Sequence, residues 1–178
     1  MAKKAKSKKV PCKLLSLGLL LISIVVACMV FLPGISIGED FTVAGLQTVF
    51  GGTVTKTAEI GGQSVTTELG ETAFNVGEFF GFILPVILCL VYFIIDKVSP
   101  KAGRVLVILP AAGFIASAVL CFLTNKLFVT ANDGSVVIQA LNLLGAEFKL
   151  GVGPIVAGSV AIVGALTSLY GCYAKLAK

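Results

Sequence analysis

The charged residues that could do acid or base chemistry lie outside the apolar parts of this chain. Four long runs, Leu14–Leu32, Phe79–Ile95, Val105–Leu123 and Val152–Tyr170, contain no Asp, Glu, Lys or Arg, and the whole chain has no His. Membrane enzymes, pumps and carriers usually keep ionisable residues within their spans because these residues do the work. Without His there is no Ser/His or Cys/His pair and no usual metal site. The sequence therefore predicts no catalytic residue, no cofactor and no metal ion.

Glu78 is the one acid placed at the predicted outer rim of a span. It follows Asn75-Val76-Gly77, and an Asn with a Glu three residues later is typical of a helix start. A capping role is therefore favoured over a role in a vestibule. Glu59, Glu68 and Glu71 precede it, and a solvated loop surface is favoured over a calcium site.

The five cysteines lie in or beside the apolar runs: Cys12, Cys28, Cys89, Cys121 and Cys172. None falls in the predicted outer loops, so those loops are not a disulfide scaffold. The favoured interpretation is that the cysteines are small buried residues in helix packing. The alternatives are a bridge between Cys28 and Cys121, lipid modification of Cys28, and acylation of Cys12 or Cys172 near the inner face.

Composition identifies the class of protein. Hydrophobic residues make up 57% of the 178-residue chain and charged residues 13%, with a mean hydropathy of +1.02. Soluble domains carry about twice that charged fraction, so this is an integral membrane protein. The net charge of +5 comes largely from the lysines before Leu14, and no basic patch is interleaved with aromatics. Nucleic-acid binding is not expected.

The fold class predicted is an all-α membrane bundle of four transmembrane helices with a small extracellular antiparallel β-sheet. Its predicted segments are a basic cytoplasmic tail 1–13, first span 14–32, outer β-rich loop 33–77, second span 78–96, cytoplasmic loop 97–104, third span 105–124, second outer loop 125–150, fourth span 151–173 and cytoplasmic tail 174–178. Most Lys and Arg residues then lie inside, as the positive-inside rule requires. Pro85 and Pro110 are expected to bend their spans. The tail lysines are expected to attract anionic lipids.

The outer loops carry turn signals between β-prone runs. Gly61-Gly62 separates Thr53–Ile60 from Gln63–Leu69 and predicts a hairpin. Further strands are predicted at 35–37 and 41–50. Asn132-Asp133-Gly134 predicts a turn between two more strands, 127–131 and 135–139, with a short amphipathic helix over 140–144 as the alternative.

Small residues recur every three or four positions along the fourth span. They are Gly153, Ala157, Ala161, Gly164, Ser168 and Gly171. On a helix this spacing forms one seam that lets another backbone approach closely, as membrane helices require. Packing against the chain's own spans is favoured over a homodimer face.

The order of four spans with a large, strand-rich first outer loop resembles the layout of claudins. The Trp and paired cysteines of claudin first loops are absent, which argues against a junction-forming role. The phrases FLPGISI, LQTVFGG and LGVGPIVAGSVAIVGALTSL resemble small, uncharacterised four-span proteins of Gram-positive bacteria. That resemblance implies a bacterial plasma membrane and no known activity.

The function expected is that of a non-catalytic accessory or interaction subunit. It would contact a protein partner or a second copy through the outer loops or the fourth helix, within membrane lipids. The alternatives are a pore or carrier for a small or apolar solute and, third, a membrane enzyme.

Overall fold

The computed structural model describes residues 12–38, 41–60 and 63–176. The lysines before Cys12, the glycine pair at the predicted hairpin turn, and Lys178 lie outside these residues. The elements in chain order are α1 (Cys12–Cys28), a 3-10 turn (Met29–Phe31), β1 (Pro33–Ile37), β2 (Phe41–Ala44), α2 (Gly45–Phe50), β3 (Gly52–Ile60), β4 (Gln63–Thr72), α3 (Val76–Val98), α4 (Pro100–Leu106), α5 (Ile108–Phe122), α6 (Thr124–Ala131), α7 (Val136–Leu143), β5 (Phe148–Leu150) and α8 (Val152–Leu176).

Long apolar helices form most of the chain. Among the described residues, α1, α3 and α8 are long and apolar enough to cross a membrane. The helices α5 and α6 meet at a bend of 66°, and they provide a fourth crossing if the pair counts as one span. Three to four helices of this kind indicate a multi-pass membrane protein.

The helices α1, α3, α5 and α8 pack in a ring that we call the bundle. Each contacts two others, in the order α1, α3, α5, α8 and back to α1. The bundle core includes Leu19, Phe82, Tyr92 and Phe114, and α8 contributes alanines to it. The two prolines affect their helices differently. The helix α3 continues through Pro85, whereas the helix before Pro110 is interrupted at Val107.

Residues 33–75 and 124–150 form a second unit, which we call the cap. Its three-stranded antiparallel sheet has the order β2-β1-β5, so both cap segments contribute to one sheet. The hairpin predicted from the glycine pair is confirmed, with Ile60 paired to Gln63, but β3 and β4 form a separate two-stranded sheet. The cap therefore holds two small sheets rather than one.

Two strand predictions were wrong. The run 41–50 is a strand only to Ala44 and then the helix α2, in which the buried residues Gly45, Thr48 and Val49 follow helical spacing. Gly51 ends this helix with a φ of 77°, which favours glycine.

The second wrong prediction is the strand pair over 127–131 and 135–139. These residues belong to α6 and α7, on either side of the predicted turn. Burial explains the difference, because Thr124, Phe128 and Asn132 are buried at four-residue spacing and all lie on one helical face. The alternative of an amphipathic helix was closer, although α7 begins four residues earlier than 140–144.

Candidate functional site

All six residues of the predicted seam lie on one buried face of α8. Gly153 faces backbone carbonyls of residues 29–33, just after α1, whereas Gly164 faces the ring of Phe114 and Gly171 faces Leu15. A Cβ at position 164 would lie 2.7 Å from that ring, closer than real side chains approach. The seam therefore brings α8 against α1 and α5 of the same chain.

Two further small residues widen this face. Gly158 and Ala165 are also buried, and a Cβ at position 158 would meet the ring of Phe122 at 2.9 Å. Gly158 directly follows Ala157, and Ala165 directly follows Gly164, so the two residues form a second row beside the seam. The seven-residue spacing between them was a usable signal that the seam prediction missed.

Two serine hydroxyls donate to backbone carbonyls of neighbouring helices close to the prolines. Pro85 has no N–H to give to the carbonyl of Gly81, and Ser117 Oγ of α5 donates to that oxygen at 2.5 Å. Ser168 Oγ of α8 donates to the carbonyl of Val107 at 2.9 Å, at the break between α4 and α5. Each hydroxyl therefore satisfies a carbonyl of a neighbouring helix, as buried polar groups require.

Glu78 is buried at the cap end of α3 rather than open to a vestibule. Only 1% of the surface of Glu78 is exposed. Thr48 Oγ1 lies 2.9 Å from one carboxyl oxygen, and Asn75 Nδ2 donates to the other at 3.2 Å. Thr48 Oγ1 also donates to the carbonyl of Gly45 at 2.8 Å. Both oxygens of the acid are therefore engaged within the protein.

The predicted helix cap at Asn75 is confirmed. Asn75 Oδ1 accepts from the backbone N–H of Glu78 at 3.1 Å. The Glu78 carboxyl reaches back to the Asn75 side chain and not to its backbone N–H, which donates to the carbonyl of Val49 at 2.9 Å. Together these bonds tie α2 to the start of α3.

Asn75 Nδ2 donates to one oxygen of the Glu78 carboxyl, and the other oxygen lies within hydrogen-bond distance of Thr48 Oγ1. The described residues contain no group of three or more His, Cys, Asp or Glu that could hold a metal ion. Cys89 and Cys121 are buried, Cys172 is half-buried and Cys28 is exposed, all as free thiols. The bridge between Cys28 and Cys121 is not formed.

No model of a protein family and no curated protein matches this chain.

Proposed function

We propose that this chain is a non-catalytic accessory subunit of a bacterial plasma membrane, with both termini cytoplasmic, which binds a partner protein through its cap. The proposal places four spans in the membrane and the cap outside it. The distribution of lysine and arginine supports this orientation, because Lys97, Lys101 and Arg104 are at the end of the bundle away from the cap.

The observation that carries the proposal is an exposed apolar stripe on α7. Val136 is 79% exposed and Leu143 is 89% exposed, with Ala140 between them on the same helical face. Ile138, on the other side of the helix, is buried in the cap core. Apolar residues exposed on one face of an otherwise packed helix are typical of a site that receives another protein.

The seam on α8 is a weaker candidate for this contact. Its six residues are buried within the chain, so a partner or a second copy would have to open the bundle to reach that face. A pore is also less well supported, because Phe82, Tyr92 and Phe114 fill the interior of the described bundle.

Site-specific photo-crosslinking in native membranes tests the proposal. A photoreactive phenylalanine analogue at Leu143 is expected to give a discrete protein adduct, whereas the same analogue at the exposed Lys126 of α6 is not. Leu143→Glu is expected to remove the co-purifying protein while the melting temperature stays that of the wild type. Adducts with lipid alone, or equal adducts at both positions, would contradict a protein partner at α7.

A further inference from the structure

Four phenylalanines form an exposed cluster where the cap meets the bundle. We call Phe50, Phe74, Phe79 and Phe80 the aromatic cluster. Phe50 lies 6.2 Å from Phe74 and 6.0 Å from Phe79 between ring centroids, and Phe79 lies 5.8 Å from Phe80. These are the separations of rings in mutual contact. The cluster is thus one continuous apolar surface formed by α2, the linker between β4 and α3, and the start of α3.

Most of this surface faces outward. Phe50 is 53% exposed, and Phe74 and Phe80 are exposed to a similar extent. Leu46 lies one turn before Phe50 on the same face of α2 and is also exposed. The inward face of α2 carries Gly45, Thr48 and Val49, which are all buried. The outward face carries Leu46 and Phe50, the two largest apolar side chains of the helix, where a helix in water would carry polar residues.

The helix α2 is held in this orientation by its backbone and its inward side. The Gly45 N–H donates to the carbonyl of Leu32 at 3.0 Å, and Thr72 Oγ1 lies within hydrogen-bond distance of the carbonyls of Gln47 and Gly52, at 3.2 and 3.1 Å. Thr48 contacts the buried carboxyl of Glu78. Because these contacts fix α2 to the segment before β1, to the end of β4 and to the start of α3, the side that carries Leu46 and Phe50 cannot turn inward without breaking them.

The aromatic cluster is continuous with the exposed face of a spanning helix. Phe80, Ile87 and Ile94 are exposed at seven-residue spacing along α3, which is long and apolar enough to cross a membrane. A row of this kind faces lipid. Phe80 belongs both to this row and to the aromatic cluster, so the medium that covers the row also reaches the cluster.

We propose that α2 and the aromatic cluster form an interfacial anchor that inserts between the acyl chains of the leaflet on the cap side. Phenylalanine has no polar atom to hold it at the headgroups, so the rings lie just below them. Of the three tyrosines, Tyr170 and Tyr173 lie exposed near the opposite end of α8. The occupant is lipid, and this inference stands independently of the partner proposed at α7.

Tryptophan quenching tests the anchor directly, because the chain has no tryptophan of its own. Phe50→Trp and, separately, Leu46→Trp are made in the full chain and reconstituted in phosphatidylcholine vesicles. Lipids brominated near the top or near the end of the acyl chain then report depth, and iodide reports access to water. Ile87→Trp gives the reference for the middle of the span, and Asp133→Trp, at the exposed turn after α6, gives the reference for water.

The expected result is that both α2 variants are quenched several-fold more by bromolipid than Asp133→Trp, and more by shallow than by deep bromine. Ile87→Trp should show the opposite depth preference. Iodide quenching equal to that of Asp133→Trp would overturn the proposal, since the cluster would then lie in water. Shielding from both quenchers would also overturn it, because protein would then cover the cluster.

Discussion

The bundle core contains many small residues beside its large ones, whereas the buried core of the cap contains only large or β-branched side chains. The bundle closes around the small residues of α8, which allow Phe114 and Phe122 to approach its backbone. The cap closes around large or β-branched side chains. Its buried core residues are Ile35, Ile37, Val43, Val54, Phe128 and Ile138.

This difference is the one expected under the proposed placement, with the bundle in lipid and the cap core in contact with water. Between helices in lipid, burial of apolar surface supplies little driving force, so close backbone approach and interhelical hydrogen bonds must hold the bundle. In water, burial of large apolar side chains is the main favourable term. The two cores should therefore respond oppositely to mutation: the cap should suffer most from loss of volume and the bundle from gain of volume.

The largest effect is expected from Phe128→Ala in the cap. Phe128 is fully buried and its ring contacts Phe148, so truncation should cost about 3–5 kcal/mol. Hydrogen exchange should show β1 and β2 losing protection while α8 keeps it. Leu143→Ala, at an exposed position, is the control and should leave exchange unchanged. Equal loss of protection in the cap and in α8 would show that the two cores are not separate.

A gain of volume in the bundle should have the next largest effect. Gly164→Leu places a side chain against the ring of Phe114 and should cost about 3 kcal/mol in a reversible detergent unfolding titration. Val163→Leu adds volume on the neighbouring, exposed face and should be nearly neutral. If both variants lose the same stability, α8 does not pack through its small residues.

The joint between the two units should respond to loss of a hydrogen-bonding group. Glu78→Ala leaves the Asn75 amide without its acceptor in a buried place, which should cost about 2 kcal/mol in the same titration. Glu78→Gln should stay close to the wild type. Its carbonyl can accept from Asn75, and its amide can donate to Thr48, whose own proton remains on Gly45. Equal losses for Ala and Gln would mean that the carboxyl does more than hold α2 to α3.

Short-range signals in the sequence were sufficient for much of the fold. The charge-free runs located the apolar helices, the glycine pair located the hairpin, and Asn75 marked the start of α3. Each signal depends on residues a few positions apart. The six small residues of α8 could likewise be found from spacing alone, since one helix carries them all.

The sequence was a poor guide where distant residues decide the structure. Strands were predicted over 41–50, 127–131 and 135–139, but contacts with the bundle end and the cap core select helices at 45–50 and in most of the other two runs. The contact of Thr48 with Glu78 joins residues 30 positions apart. The aromatic cluster joins Phe50 of α2 to phenylalanines more than 20 positions later, so no local sequence pattern predicts it.

The smallest loss of stability is expected from removing the hydroxyl that donates to the carbonyl of Gly81. This change tests whether a hydroxyl of a neighbouring helix replaces the donor that Pro85 lacks. Ser117→Ala alone should cost about 0.6 kcal/mol, the usual size of a hydrogen bond between membrane helices. In a Pro85→Ala background, the new N–H can donate to the same carbonyl, so Ser117→Ala should then cost less. A double-mutant cycle in the detergent titration measures this coupling directly. Ser168→Ala is the matched control: its acceptor is the carbonyl of Val107, so its cost should not depend on residue 85. If the cost of Ser117→Ala is the same in both backgrounds, the hydroxyl is not a substitute for the missing donor, and the bundle depends on close packing alone.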